Sequence, residues 1–197
     1  WSVLRSSEDE VLKGSLLITL YENLRWKTIS PQGFREEMLA YLPNESNSLL
    51  FSMALSYLGD CQRIFPSDSR PLEQVLWKIV TTNPVSQHRL QAFRLYRSIA
   101  DSEEAVQRLY TLWQERKAPK DCTLSESDYI GLSYMLAMHL PEKADKIIAT
   151  QLSRMQNPDR KKEYQFISPS VSPRKAERDS VFASLLIAGN RRVEPWA

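Results

Sequence analysis

Leu12, Leu16, Leu20 and Leu24 recur every fourth residue, with Leu17 and Tyr21 beside them. That spacing is close to one helical turn and predicts an amphipathic helix from Glu8 to Arg25. Ser30-Pro31 then reads as an N-cap and first helical residue, since proline there gives up an N–H that lacks a partner anyway. The second helix carries Phe34, Met38, Tyr41 and Leu42 and stops at Pro43. A third starts near Glu45 and presents Leu50, Met53, Ala54, Tyr57 and Leu58 on one side, with Gly59 as its stop. The segment from Cys61 to Arg70, with Pro66, Ser67, Asp68 and Ser69, reads as a loop.

The helical period then resumes. Leu72, Val75, Leu76, Ile79 and Val80 mark a fourth helix, and Asn83-Pro84 repeats the cap-then-proline step before a fifth with Ala92, Leu95, Tyr96 and Ile99. Asp101 or Ser102 opens a sixth, bearing Val106, Leu109, Tyr110 and Trp113. Residues 116–124 are polar, contain Pro119 and read as an internal linker. Ser125 with Asp128 forms a capping-box variant for a seventh helix through Ile130, Tyr134 and Met138. Pro141 begins an eighth, with Ala144, Ile147, Ile148, Leu152 and Met155 inward. Asn157-Pro158 starts a short ninth, and Ser172-Pro173 a tenth with Val181, Phe182, Leu185 and Leu186, ended by Gly189.

Sustained period-two alternation is missing and glycines number only five, so strands are not expected. The expected fold is therefore all-α: a single helical domain over 1–197, built as an irregular α-solenoid or superhelix of about ten antiparallel helices, HEAT- or armadillo-like. The cap-proline steps fall at irregular intervals, and the tetratricopeptide period does not appear.

Charge changes this picture only locally. The net charge of +2 implies neither nucleic acid nor membrane as partner. Acids outnumber bases eight to five from Trp1 to Asp60, whereas bases outnumber acids nine to five from Arg154 to Glu194. No run approaches the ~18–20 apolar residues of a membrane span. Cys61 and Cys122 stand far apart, outside any C-x-x-C pair, and are expected as free thiols. The chain opens on Trp1 with a helix close behind, which reads as a piece of a longer protein.

Catalytic chemistry is hard to find. His88 and His139 lie in no H-E-x-x-H and near no second histidine at ligand spacing, so structural roles are expected for both. Glu36-Glu37 and Glu103-Glu104 occupy consecutive helical positions about 100° apart, which suits solvated faces better than convergence on one bond. Phosphate-binding and nucleophile-elbow motifs are missing, and no cofactor is expected in this chain. The basic tail supplies the contact candidates: Arg160, Lys161, Tyr164, Arg178, Arg191 and Arg192, facing a peptide or a neighbouring domain. The alternative is internal pairing with Asp159, Glu163, Glu177, Asp179 and Glu194.

The first three helices, with the corner Tyr41-Leu42-Pro43-Asn44-Glu45-Ser46, resemble the opening of the C-terminal helical domain of the M1 zinc aminopeptidases. That family includes aminopeptidase N and the endoplasmic-reticulum aminopeptidases. Asn157-Pro158-Asp159-Arg160 is similar to the N-P-x-R helix start late in bacterial relatives. Arg178-Asp179-Ser180-Val181-Phe182 and the run from Asn190 to Trp196 resemble the segments that follow in a bacterial subgroup. The family's H-E-x-x-H and G-A-M-E-N motifs are not in this sequence. The resemblance implies a non-catalytic domain that encloses the active-site chamber of a peptidase removing N-terminal residues. Zinc would then sit in the parent's catalytic domain, with that domain and the peptide substrate as partners. The alternative is a stand-alone helical-repeat scaffold that binds a protein or peptide.

Overall fold

The computed structural model describes residues 1–193, and they are all-α: twelve α-helices and three 3-10 turns, without a strand among the described residues. By internal packing the chain divides into two compact units. The first comprises Trp1–Ala105 and Ala118–Thr123; the second comprises Val106–Lys117 and Leu124–Ala197. The segment expected as a linker, 116–124, is where the chain passes from one unit to the other and back.

Unit 1 contains α1 (Ser2–Ser6), α2 (Glu10–Arg25), α3 (Pro31–Tyr41), α4 (Ser48–Ile64), α5 (Arg70–Thr82), α6 (Ser86–Ile99) and the start of α7 (Glu103–Glu115). Helix α4 is its centre, packed against α2, α3 and α6, with α5 laid on α6. The core is made by Leu17, Leu24, Phe34, Met38, Phe51, Leu58, Leu76, Phe93 and Tyr96, all buried. Two acids, Glu45 and Glu73, are buried beside it. Glu45 accepts from Tyr41 Oη–H, from the Asn47 N–H at 2.7 Å and from Lys13 Nζ at 3.3 Å. Burial alone would raise its pKa, but these donors outweigh burial and hold the carboxyl below its usual range.

Unit 2 takes most of α7, then α8 (Glu126–His139), α9 (Ala144–Arg154), α10 (Pro158–Ile167), α11 (Lys175–Leu186) and α12 (Asn190–Val193). Helix α8 packs on α9, and the 3-10 turn Ser168–Val171 touches α8, α10 and α11. Leu109, Trp113, Tyr129, Leu132, Leu136, Ile147 and Tyr164 form its core. Trp113 Nε1–H donates to Gln151 Oε1 at 2.9 Å inside it.

The ten expected helices are all present as α2 to α11, and the short α1 and α12 are additional. Several details differ. Gly59 does not stop α4, which runs on to Ile64 and lies there close to α6: a Cβ at Gly59 would meet Leu95 Cδ1 at 2.9 Å, a contact the leucine end can relieve by shifting. Ser30 and Asn157 cap α3 and α10 as expected. Asn83 and Ser172 do not cap the helices that follow them: each instead accepts from the N–H two residues on, and those helices begin at Ser86 and Lys175. Helix α8 buries Tyr129, Leu132 and Leu136, whereas Met138 of the expected stripe is 58% exposed. Helix α11 buries none of its residues, so Val181, Phe182, Leu185 and Leu186 are not the core stripe expected of them. Cys61 is a buried free thiol and Cys122 a half-buried one.

The capping box of α8 is complete: Ser125 Oγ accepts from Asp128 N–H, and Asp128 Oδ2 accepts from Ser125 N–H at 3.0 Å. Ser125→Ala is expected to cost about 1 kcal/mol, read as a lower denaturation midpoint with an unchanged denaturant slope.

Candidate functional site

Two helix starts in unit 2 bring polar groups together. Asn157 Oδ1 accepts from the N–H groups of Asp159 and Arg160 at 2.9 and 3.1 Å, which fixes the first turn of α10 and the base of the Arg160 side chain. The capping box does the same for the first turn of α8, where Glu126 and Ser127 lie. Arg160 Nη1 donates to Ser127 Oγ at 2.6 Å, and Arg160 Nε stands 3.7 Å from Glu126 Oε2.

Farther along the same two helices, the rings of Tyr134 and Tyr164 stack with centroids 5.0 Å apart and planes 15° from parallel. Tyr164 is only 1% exposed, and its hydroxyl lies 2.8 Å from Ser133 Oγ, which itself donates to Ile130 O at 2.7 Å. Burial pushes the Tyr164 phenol up to about 12. Tyr134 is different. Its hydroxyl oxygen is shut off from solvent and has no hydrogen-bond partner. Burial first, then the neighbouring Tyr164 and Glu163, raises its pKa. Both phenols therefore stay protonated near neutrality, and they serve as hydrogen-bonding groups, not as bases.

Between the arginine contact and the tyrosine stack lies a cavity of about 270 Å³, lined by Ser127, Ile130 and Tyr134 of α8 and by Arg160, Glu163, Tyr164 and Ile167 of α10. The spacing explains the lining. On α8 the residues stand at i, i+3 and i+7, and on α10 at i, i+3, i+4 and i+7, one face of each helix.

Of the residues singled out in the sequence, only Arg160 and Tyr164 meet here. Tyr164 belongs to the core and touches the cavity from within, so it is not the surface contact it was expected to be. Lys161 occupies the next position of α10, half-buried and off the cavity lining. Arg178 of α11 donates to Ser172 O at 2.6 Å, and Arg191 of α12 donates to Leu185 O, so both arginines brace their own backbone. Arg192 is exposed. Arg174 is held by Asp145 at 2.8 and 2.9 Å and by Glu177, the internal pairing weighed as the alternative for the tail. Glu194, Pro195 and Trp196 lie outside the described residues.

Ser127, Tyr134 and Glu163 were not legible as site residues in the sequence. The signal available was the matching polar-apolar spacing of the two helices, which cannot be paired without knowing that α8 and α10 are neighbours. A second cationic feature also went unread. Arg154 stacks over Trp113 at 4.8 Å and caps the last carbonyls of α7, donating to Trp113 O and Gln114 O at 3.0 Å each. Arg116, in the left-handed region at φ 53°, stacks over Tyr129 at 4.4 Å.

His88 is fully buried in unit 1 and His139 ends α8, far from forming a ligand set in sequence; among the described residues no group of three or more His, Cys, Asp or Glu side chains is placed to hold a metal ion. No described helix is long and apolar enough to cross a membrane. The chain matches no family model, no curated protein and no solved structure.

Proposed function

We propose that this chain is the non-catalytic helical domain of an M1-type zinc aminopeptidase, a wall of stacked helices that encloses the active-site chamber and limits peptide access. The observation that carries this reading is α11. Its stretch, Arg178 to Phe182, is one of those that resemble the family, and it leaves Phe182, Leu186 and Ile187 exposed by 67%, 65% and 60%. Three large apolar side chains on one short segment are costly in water and favour a covering surface, which the rest of such a polypeptide would provide. Unit 1 adds a groove of about 560 Å³ between α4 and α6, lined by Leu55, Leu95 and Ile99 beside Ser52, Ser56 and Arg63, of a size for a short peptide segment. Metal, nucleophilic water and general base would all come from the catalytic domain, where zinc lowers the pKa of its bound water.

The test is the reading frame upstream of this chain. It is expected to encode H-E-x-x-H and G-A-M-E-N; a frame without them overturns the proposal in favour of a free-standing scaffold. A second check is turnover. The purified chain is expected to release nothing from an aminoacyl reporter with or without added zinc, and zinc-dependent hydrolysis by it would contradict a non-catalytic role.

A further inference from the structure

Helix α11 is attached to unit 2 differently from the helices before it. Helices α7 to α10 each place side chains in the core, Trp113, Leu132, Ile147 and Tyr164 among them, whereas α11 buries none. It packs on the 3-10 turn Ser168–Val171 just before it and on α12 just after it. Its inner face is Val181, Ser184 and Leu185, at i, i+3 and i+4, and all three are half-buried. Its polar bonds are local too. Arg178 Nη1 donates to Ser172 O at 2.6 Å, the Arg174 N–H donates to Ser172 Oγ at 3.1 Å, and Asn190 and Arg191 of α12 donate to Ser184 O and Leu185 O.

One bond reaches farther. Arg174 donates through Nη1 and Nη2 to the two carboxylate oxygens of Asp145 on α9, at 2.8 and 2.9 Å, while its Nε holds Glu177 of α11. Among the described residues this is the one hydrogen-bonded link from residues 173–193 to α7, α8, α9 or α10. Both partners border open space, a groove of about 300 Å³ with Ile148 and Leu152 of α9 facing Pro169, Val171 and Pro173 of the connection. The side chains of Arg174 and Asp145 are 52% and 72% exposed, so water screens the pair, and it favours the closed form by no more than about fivefold.

We infer that α11 and α12 form a hinged arm, latched to α9 by Arg174 on Asp145, which swings open about residues 172–174 while the core of unit 2 stays folded. Ser172 and Arg174 are both extended, so the pivot lies between the end of the 3-10 turn and the first turn of α11. A segment without buried side chains, held by one exposed latch, opens at a fraction of the cost of global unfolding. Opening adds Val181 and Leu185 to the apolar surface that Phe182, Leu186 and Ile187 already present. How α11 is held does not depend on what covers it, so the arm goes beyond the aminopeptidase reading and stands without it.

Hydrogen exchange of the 197-residue chain, read by mass spectrometry, tests it. A helix of 12 residues does not hold itself in water, so an undocked α11 melts and its amides exchange. Amides of residues 181–186 are expected to exchange about a hundredfold or more faster than those of residues 132–136 in α8. Asp145→Asn removes the latch charge and one of its two acceptor oxygens. It is expected to speed exchange in α11 about two- to fivefold and to leave residues 132–136 unchanged. Raising salt from about 0.1 M to about 1 M shortens the screening length from ~10 to ~3 Å. That is expected to speed α11 in the unsubstituted chain and to add nothing in Asp145→Asn. Protection of α11 equal to that of α8 overturns the inference. So does unchanged α11 exchange in Asp145→Asn, or a variant in which α8 and α11 speed up together, since the helices would then open as one.

Discussion

Glu73→Ala is expected to lower the stability of the chain by about 3 kcal/mol, roughly the value of two orphaned backbone donors and a lost charged acceptor. Glu73 is 5% exposed, on α5, and its carboxylate is a four-way junction. Oε1 accepts from the N–H groups of Asp101 and Ser102 at 2.8 and 3.1 Å and from Ser69 Oγ at 2.8 Å, while Oε2 accepts from Ser102 Oγ. Ser102 Oγ in turn receives the Ala105 N–H at 3.2 Å, so the acid holds the residue that starts α7. Alanine leaves those N–H groups turned toward a cavity. Glutamine keeps one oxygen for them and is expected to lose about half as much. The measurement is the urea midpoint of both variants by far-ultraviolet circular dichroism; a Glu73→Ala midpoint within error of the unsubstituted chain would show the junction to be worthless.

The same residue shows how far sequence reading reaches. Burial alone would raise the pKa of Glu73, yet Ser102, Asp101 and Ser69 together hold it below the ordinary carboxyl range. Of those partners only Ser69, four residues earlier, is near in sequence, and the others lie 28 and 29 residues away. Long-range hydrogen bonds of this kind leave no periodic trace. Helices do, because burial selects apolar residues every three or four positions, and ten of them could be read directly from that pattern. The reading failed where the pattern became ambiguous. Helix α8 is apolar on nearly every side, so Ile130, Tyr134 and Met138 looked as good a core stripe as Tyr129, Leu132 and Leu136. That error hid Tyr134, whose shielded hydroxyl has no hydrogen-bond partner.

Cap prediction failed for a related reason. An Asn or Ser before proline satisfies the N–H two residues on whether or not a helix begins there. Asn83 and Ser172 make that short-range bond in a connection and Asn157 makes it at a helix start, whereas Ser30 caps α3 through the Gly33 N–H three residues on. The difference is made by the next helix, whose position depends on what it packs against. Arg160 and Tyr164 were visible as residues, but their division of labour, one braced at a cavity mouth and one stacked in the core, is tertiary information.

Phe51→Ala is expected to cost about 4 kcal/mol and to flatten the pH dependence of stability just below roughly pH 6.5, the first from the cavity it leaves and the second through His88. Phe51 and His88 are both fully buried, with rings stacked at 4.0 Å and 6°. His88 Nε2 lies 3.0 Å from Ser48 Oγ, and its Nδ1 is shielded without a partner. Burial holds the imidazole below its ordinary value of 6.5, with the charge of Glu45 opposing in part. The unfolded chain therefore takes up this proton first. Stability due to the neutral ring is intact above about 6.5 and is lost as pH falls below it. Glu45 and Glu73, whose folded pKa values are lowered, add a separate loss that begins only as pH falls through about 4.5. In Phe51→Ala water reaches the ring, its pKa returns toward the unfolded value, and only the carboxylate limb remains. Phe51→Leu keeps the ring dry and is expected to retain both limbs. Urea midpoints of the three proteins at closely spaced pH values separate the cases, and an unchanged upper limb in Phe51→Ala would mean that something other than this stack keeps His88 neutral.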